Sequence, residues 1–265
     1  MKLLTHPYLP LTDEERKQMQ KVIGAELADL FQVIPHTIRD NAHFEFPAHN
    51  EVEVTKIFST WAKMNTPVSK LISFLGAGAY EHAIPSALKD LVTRSEFLTA
   101  YTPYQPEISQ GLLQAFFEYQ SLISDLTGME ITNASMYDGP TALAHNFTRK
   151  SEVIILSGLN PEAKQVLRTY TSNSEITLKF LSPEDGDKNH QLASALNDKT
   201  AAVVLQNPDF FGHLALTREL LSMINESGAL SIVYINDPIS LAILEPPGAL
   251  GADIVVGEAQ AFGLP

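Results

Sequence analysis

Thr200–Asp237, TAAVVLQNPDFFGHLALTRELLSMINESGALSIVYIND, carries the pattern that decides the fold. Ala201–Leu205 is a short apolar run that stops at Gln206-Asn207-Pro208 and reads as a strand. Leu214–Ile224 repeats its apolar residues at helical spacing and is closed by Ser227-Gly228. Leu230–Ile235 is a second apolar run, ended by Asn236-Asp237-Pro238. Neither strand alternates between polar and apolar residues, so both of its faces must be covered. Strand, helix, strand in that order, with both strand faces buried, means parallel strands under helices.

The same grammar extends in both directions. Upstream, Val153–Leu156 reads as a strand, Pro161–Tyr170 as a helix capped by Asn160, and Ile176–Leu181 as a strand. A short helix, Gln191–Leu196, follows Asn189, and downstream Asp253–Val256 is a last strand. The fold class is therefore α/β, a mainly parallel sheet with flanking helices. Ligands in such sheets sit beyond the C-terminal strand ends, where the polar residues are Gln206, Asn207, Asn236 and Asp237.

Before the sheet lies Phe97–Asn146, FLTAYTPYQPEISQGLLQAFFEYQSLISDLTGMEITNASMYDGPTALAHN. Its first part, Tyr101–Glu107, holds two prolines and two tyrosines and reads as a stiff, non-helical arm carrying phenols, an amide and a carboxylate. From Ser109 to about Thr127 an apolar stripe predicts a long buried helix, with Ser109 as its cap and Gly128 at its end. Ser135–Ala142 predicts a turn into a new helix, bent at Gly139 and started by Pro140.

Met1–Pro67 has helical signals and no strands. Thr12 with Glu15 forms a capping box for a helix to about Ile23, Glu26–Phe31 is a short helical piece, and Asn50 caps a helix with Val54, Ile57, Phe58 and Trp61 on one face. We expect an N-terminal helical arm over residues 1–67, lying on its own body or on a partner, and a large domain over 68–265. Between them, Phe74–His82, FLGAGAYEH, lacks the third glycine of a dinucleotide fingerprint. Its glycines allow close packing beside Tyr80 and His82, and His82 is either a site residue or a hydrogen-bonded surface histidine.

The net charge of -13 argues against nucleic-acid binding, which needs clustered Lys and Arg. The absence of cysteine removes disulfides and thiol chemistry. No apolar run is long enough to cross a membrane, and the N-terminus lacks a signal-peptide core, so we expect a cytoplasmic protein. No histidine or carboxylate grouping has metal-ligand spacing, and Pro183–Asp187 is only a faint calcium-loop pattern without its distal glutamate.

YTPYQPEISQG, LTGM, NASMYDG and TALA, with FLGAGAYEHAIP upstream and DPISLAILEPPGALGADIVVGE downstream, resemble the glycine cleavage system P-protein, specifically its first subunit type. The resemblance covers nearly the whole chain. It implies the large domain of fold-type-I pyridoxal phosphate (PLP) transferases, in which a helix N-terminus holds the phosphate, a strand-end aspartate pairs with the pyridine nitrogen, and a downstream lysine bonds the aldehyde. Asp138, Gly139 and Thr141 match the first element and Asp237 the second. The third is missing. The last lysine is Lys199, and Gly257–Phe262 has no amine. Asp138 can also satisfy the helix N–H groups itself and repel a phosphate.

The resemblance therefore implies an accessory subunit with no catalytic residue of its own. Its expected partners are P-protein subunit 2, which carries the PLP, lipoylated H-protein, and glycine as substrate. His82, Tyr101, Thr102, Tyr104, Gln105 and Glu107 are expected to line the partner's active site. Two alternatives stand beside this reading. One is a non-catalytic scaffolding or binding protein derived from that subunit; the other is an independent PLP enzyme using an earlier lysine. The chain departs from the family at Ala259, where glycine is usual, and at Ala261, where proline is usual. It also ends at Pro265, before the family's small C-terminal domain, which is expected to be absent.

Overall fold

A computed structural model describes residues 11–41, 47–78, 80–98, 102–147, 152–156, 158–181 and 188–264. The chain falls into two compact units, Met1–Ile72 and Ser73–Pro265.

The first unit is helical. Helix α1 (Asp13–Ile23) starts in a capping box: Glu15 N–H donates to the Thr12 hydroxyl and Thr12 N–H donates to the Glu15 carboxylate. Gly24, in the left-handed region, ends it. The short α2 (His36–Arg39) follows, and α3 (Glu51–Met64) repeats the capping box with Asn50 and Glu53. Between α1 and α2 the expected helical piece is a single 3-10 turn, Asp29–Phe31. None of this unit's described residues is buried. Phe58 and Trp61 pack ring edge to face at 5.1 Å yet stay 61% and 57% exposed.

The second unit opens with α4 (Ser86–Val92) and α5 (Ser95–Leu98), which no strong periodic signal had marked. Then come α6 (Gln110–Thr127) and α7 (Gly139–His145). The α/β part follows as β1 (Glu152–Ile155), α8 (Pro161–Thr171), β2 (Thr177–Phe180), α9 (Lys188–Ala195), β3 (Thr200–Gln206), α10 (Arg218–Glu226), β4 (Leu230–Ile235), α11 (Pro247–Leu250) and β5 (Ile254–Gly257). The described strands form one sheet in the order β2-β1-β3-β4-β5, parallel throughout.

The sheet's two faces bury two cores. One packs Ile154, Val203, Leu205 and Val233 against Leu220, Leu221 and Ile224 of α10. The other packs Val153, Ile155, Val204 and Ile232 against Leu143 of α7 and Ala163 and Leu167 of α8. Burial on both faces is why β3 and β4 are apolar without alternation.

Three expectations need correction. The helix predicted over Leu214–Ile224 starts only at Arg218, because the Thr217 hydroxyl accepts the Leu220 N–H and caps it there. The N–H groups of Ala215 and Leu216 instead donate to the Asn207 side chain. Ser109 precedes α6, but its ψ of 18° does not aim its hydroxyl at the first turn, and its side chain makes no capping bond. Finally, α6 is not buried: Phe117 and Leu122 are 67% and 62% exposed, and Thr127 is its one buried residue.

Candidate functional site

The C-terminal ends of β4 and β5 lie side by side, and the N-terminus of α7 meets them. Asp138 caps α7: one carboxylate oxygen accepts the Thr141 N–H at 2.8 Å and the other the Thr141 hydroxyl at 2.9 Å. The N–H of Gly139 donates to Glu258, on the loop after β5, at 2.9 Å. A side chain at 139 would not fit, since a Cβ there would stand 2.8 Å from the Tyr234 ring and 2.9 Å from Glu258. Tyr234, on β4, is buried and donates its hydroxyl to Asn236 at 3.2 Å. Burial, then the carboxylates of Glu258 and Asp138, push its phenol far above the ordinary tyrosine range.

Beside this cluster, a cavity of about 220 Å³ is lined by Gly78, Tyr80, His82, Asn236, Asp237 and Gln260, among others. His82 Nε2 lies 3.8 Å from one Asp237 oxygen. The other oxygen accepts the Ile239 N–H at 3.1 Å, which ties the carboxylate to the turn after β4. Gly76, Ala77 and Gly78 all have positive φ, and a Cβ on Gly78 would come 2.9 Å from the Asn236 amide. The close approach that the glycines permit is thus to Asn236, at the end of β4.

The arm residues sit elsewhere. Thr102, Tyr104, Gln105 and Glu107 are exposed, Tyr104 at 88%, and none lines the His82 cavity. The arm is a turn held by its own backbone, Tyr104 N–H to Thr102 and Ile108 N–H to Gln105. Tyr101 lies outside the described residues. Gln206 and Asn207, the other strand-end candidates, are engaged by the chain itself: Gln206 accepts the Asn160 N–H, and Asn207 holds the loop before α10. Sequence reading missed Glu258 and Tyr234. The run Gly257–Phe262 drew notice for the amine it lacks, and nothing in it announced that its one carboxylate folds back onto Gly139.

The model of the glycine cleavage system P-protein family matches residues 6–265. The chain belongs to that family. It is 44% identical to a Listeria monocytogenes protein named "Probable glycine dehydrogenase (decarboxylating) subunit 1", over 98% of its own length and 60% of that protein's. It superposes with a TM-score of 0.80 and 40% identity on a crystal structure of glycine decarboxylase (P-protein) in inhibitor-bound form, again covering 98% of itself and 60% of that chain. A C-DES mutant with glycine covalently linked to its PLP cofactor shares the fold, with a TM-score of 0.52, 16% identity, and 68% and 50% of the two chains covered. The chain thus spans about 60% of the length of the P-protein relatives it matches.

Two N–H groups at the start of α7, those of Gly139 and Thr141, are thus already taken by the side chains of Glu258 and Asp138. The Asp237 carboxylate is engaged with Ile239 and faces His82. No lysine follows Lys199 in the sequence. Among the described residues, no helix is long and apolar enough to cross a membrane.

Proposed function

We propose that this chain is the cofactor-free member of a two-subunit glycine decarboxylase: it works only with a subunit 2 that carries PLP. The pair decarboxylates glycine and passes the aminomethyl group to the lipoyl arm of H-protein. The observation that carries this reading is Glu258 on the Gly139 N–H beside the Asp138 cap. Two carboxylates occupy the ground a phosphate would need, and the stretch Gly257–Phe262, where the resemblance places the lysine, holds none.

In this reading the chain supplies surface. Tyr104, Glu107 and their neighbours on the exposed arm, including Tyr101, Thr102 and Gln105, reach the partner's active site, orient glycine and exclude water. His82 lines a separate cavity, 3.8 Å from Asp237, and joins them in lining the partner's site only in the assembled pair. The asymmetry is economical in chemical terms, since a second aldehyde-bonding site on this chain would add nothing to a reaction carried by its partner.

The test has two arms. The purified chain is mixed with PLP, reduced with borohydride and weighed by mass spectrometry; no adduct is expected, and a stoichiometric lysine adduct overturns the proposal. The chain is then combined with subunit 2 and assayed for glycine-dependent exchange of carbon dioxide. Exchange that needs both chains is expected, and exchange by subunit 2 alone at the same rate overturns it.

A further inference from the structure

The cavity beside His82 is lined by polar groups that the fold leaves unused. The two oxygens of Asp237 have different surroundings. One accepts the Ile239 N–H at 3.1 Å and is committed to the turn after β4. The other stands 3.8 Å from His82 Nε2, beyond hydrogen-bond reach. Only 23% of the His82 side chain and 27% of that of Asp237 is exposed.

Asn236 is divided in the same way. Its carbonyl oxygen accepts the Tyr234 hydroxyl at 3.2 Å, and its amide N–H groups have no acceptor among the described residues. The side-chain amide of Gln260 and the hydroxyl of Tyr80 line the same cavity, and neither makes a hydrogen bond among the described residues. Asn236 and Asp237 follow the C-terminal end of β4, the end of a parallel strand at which ligands sit.

The loop on the facing side has an uncommon backbone. Gly76, Ala77 and Gly78 have φ of 64°, 57° and 94°. Ala77 carries a Cβ and gains nothing from the left-handed region. Residues held this way persist where their surroundings fix them, and ligand clamps are one such place. Gly78 brings the loop so close to Asn236 that a Cβ would stand 2.9 Å from the amide nitrogen.

At about 220 Å³ the cavity is smaller than the pockets of drug-sized ligands, roughly 300–1,000 Å³, and suits a molecule of a few heavy atoms. Its chemistry has two ends. The free oxygen of Asp237 suits a positively charged donor. The amide N–H groups of Asn236 and Gln260 and the Tyr80 hydroxyl suit a carboxylate. A simple amine leaves those donors unmatched, and a simple carboxylate adds a second negative charge beside Asp237. A molecule carrying both charges matches both ends and brings no net charge with it.

We infer that this cavity binds a small α-amino acid in its zwitterionic form. The free Asp237 oxygen accepts from the ammonium group, with His82 walling that end. Asn236, Gln260 and Tyr80 donate to the carboxylate. The inference rests on the proposed function only for the choice of glycine as the first probe. Binding is measured on the chain alone, so a pair that fails to exchange carbon dioxide leaves it standing, and glycine that fails to bind leaves the pairing standing.

Glycine, methylamine and acetate are titrated separately into the isotope-labelled chain. Amide resonances are followed at Gly78, Ile239 and Gln260 and in the side chains of Asn236 and Gln260. Glycine should give saturable shifts with a dissociation constant on the order of 1 mM, the scale that so few atoms support. Methylamine and acetate should each bind at least about tenfold more weakly, since each loses the charge-assisted hydrogen bonds of one end. Asp237→Asn keeps an acceptor for the Ile239 N–H and should weaken glycine about tenfold. Gln260→Ala changes an exposed side chain and should weaken glycine while the β4 resonances stay in place; it decides the matter if Asp237→Asn fails to fold. Shifts that never saturate overturn the inference. So does methylamine or acetate binding as tightly as glycine, and so does a glycine affinity that the folded variants leave unchanged.

Discussion

Glu258 accepts the Gly139 N–H at 2.9 Å across 119 residues of sequence, clamping the loop after β5 to the first turn of α7. The contact joins segments far apart in the sequence, and it is made by a carboxylate side chain.

Removing that carboxylate leaves a buried N–H without its partner. Glu258→Ala is expected to lower unfolding stability by about 1–3 kcal/mol, and Glu258→Gln, which keeps an acceptor, by less. Urea denaturation of the chain and both variants measures this. Equal stability of all three would show that the clamp is immaterial.

The exposed arm gives a prediction about turnover. Tyr104→Phe and Glu107→Gln, tested in the reconstituted pair with subunit 2, should lower glycine-dependent carbon dioxide exchange while complex formation on a sizing column is unchanged. Both residues are exposed in the isolated chain, so neither change should affect its folding. Unchanged rates in both variants remove the arm from the active site.

Gly248 packs on the end of α6, and a Cβ there would stand 2.2 Å from the Gly128 carbonyl oxygen. Backbone cannot yield as a side-chain tip can. Gly248→Ala should therefore destabilise the chain by about 1–3 kcal/mol, as overpacking does. Thermal unfolding of the two forms checks this, with Gly24→Ala as a contrast: no atom lies within 4 Å of a Cβ at 24, so any cost there comes from its positive φ alone.

Tyr234 sets an alkaline limit. In the unfolded chain its phenol loses a proton at about pH 10, while in the folded chain burial, Glu258 and Asp138 hold the proton to higher pH. Between those two pKa values the folded state binds more protons than the unfolded one, so stability falls as pH rises through that window. Tyr234→Phe should flatten this fall. A denaturant series taken on both proteins upward from pH 9 measures it, and identical slopes would show that Tyr234 is not the group concerned.

The α/β class was legible because its signals are local. The apolar runs of β1, β3 and β4 and the caps at Thr12, Asn50, Asn160 and Asp138 each act within a few residues. The end of α6 at Gly128 was legible for the same reason, since a left-handed residue is a local demand. The start of α10 was not. It depends on the Asn207 side chain reaching Ala215 and Leu216, a contact that apolar spacing does not encode. The exposure of α6 was hidden for a related reason: an apolar stripe says that a face can be covered, and only the packed chain says whether it is.

By itself the sequence determined the alternation of strands and helices from β1 to β4, the lack of a lysine in Gly257–Phe262, and the carboxylate at the start of α7. Tertiary structure alone decided the strand order β2-β1-β3-β4-β5, the meeting of His82 with Asp237, and the return of Glu258 to Gly139. The physical reason is range. Propensity, capping and composition act along a few neighbouring residues, whereas a hydrogen bond between Glu258 and Gly139 exists only once the sheet has set β5 beside β4 and packed α7 against both.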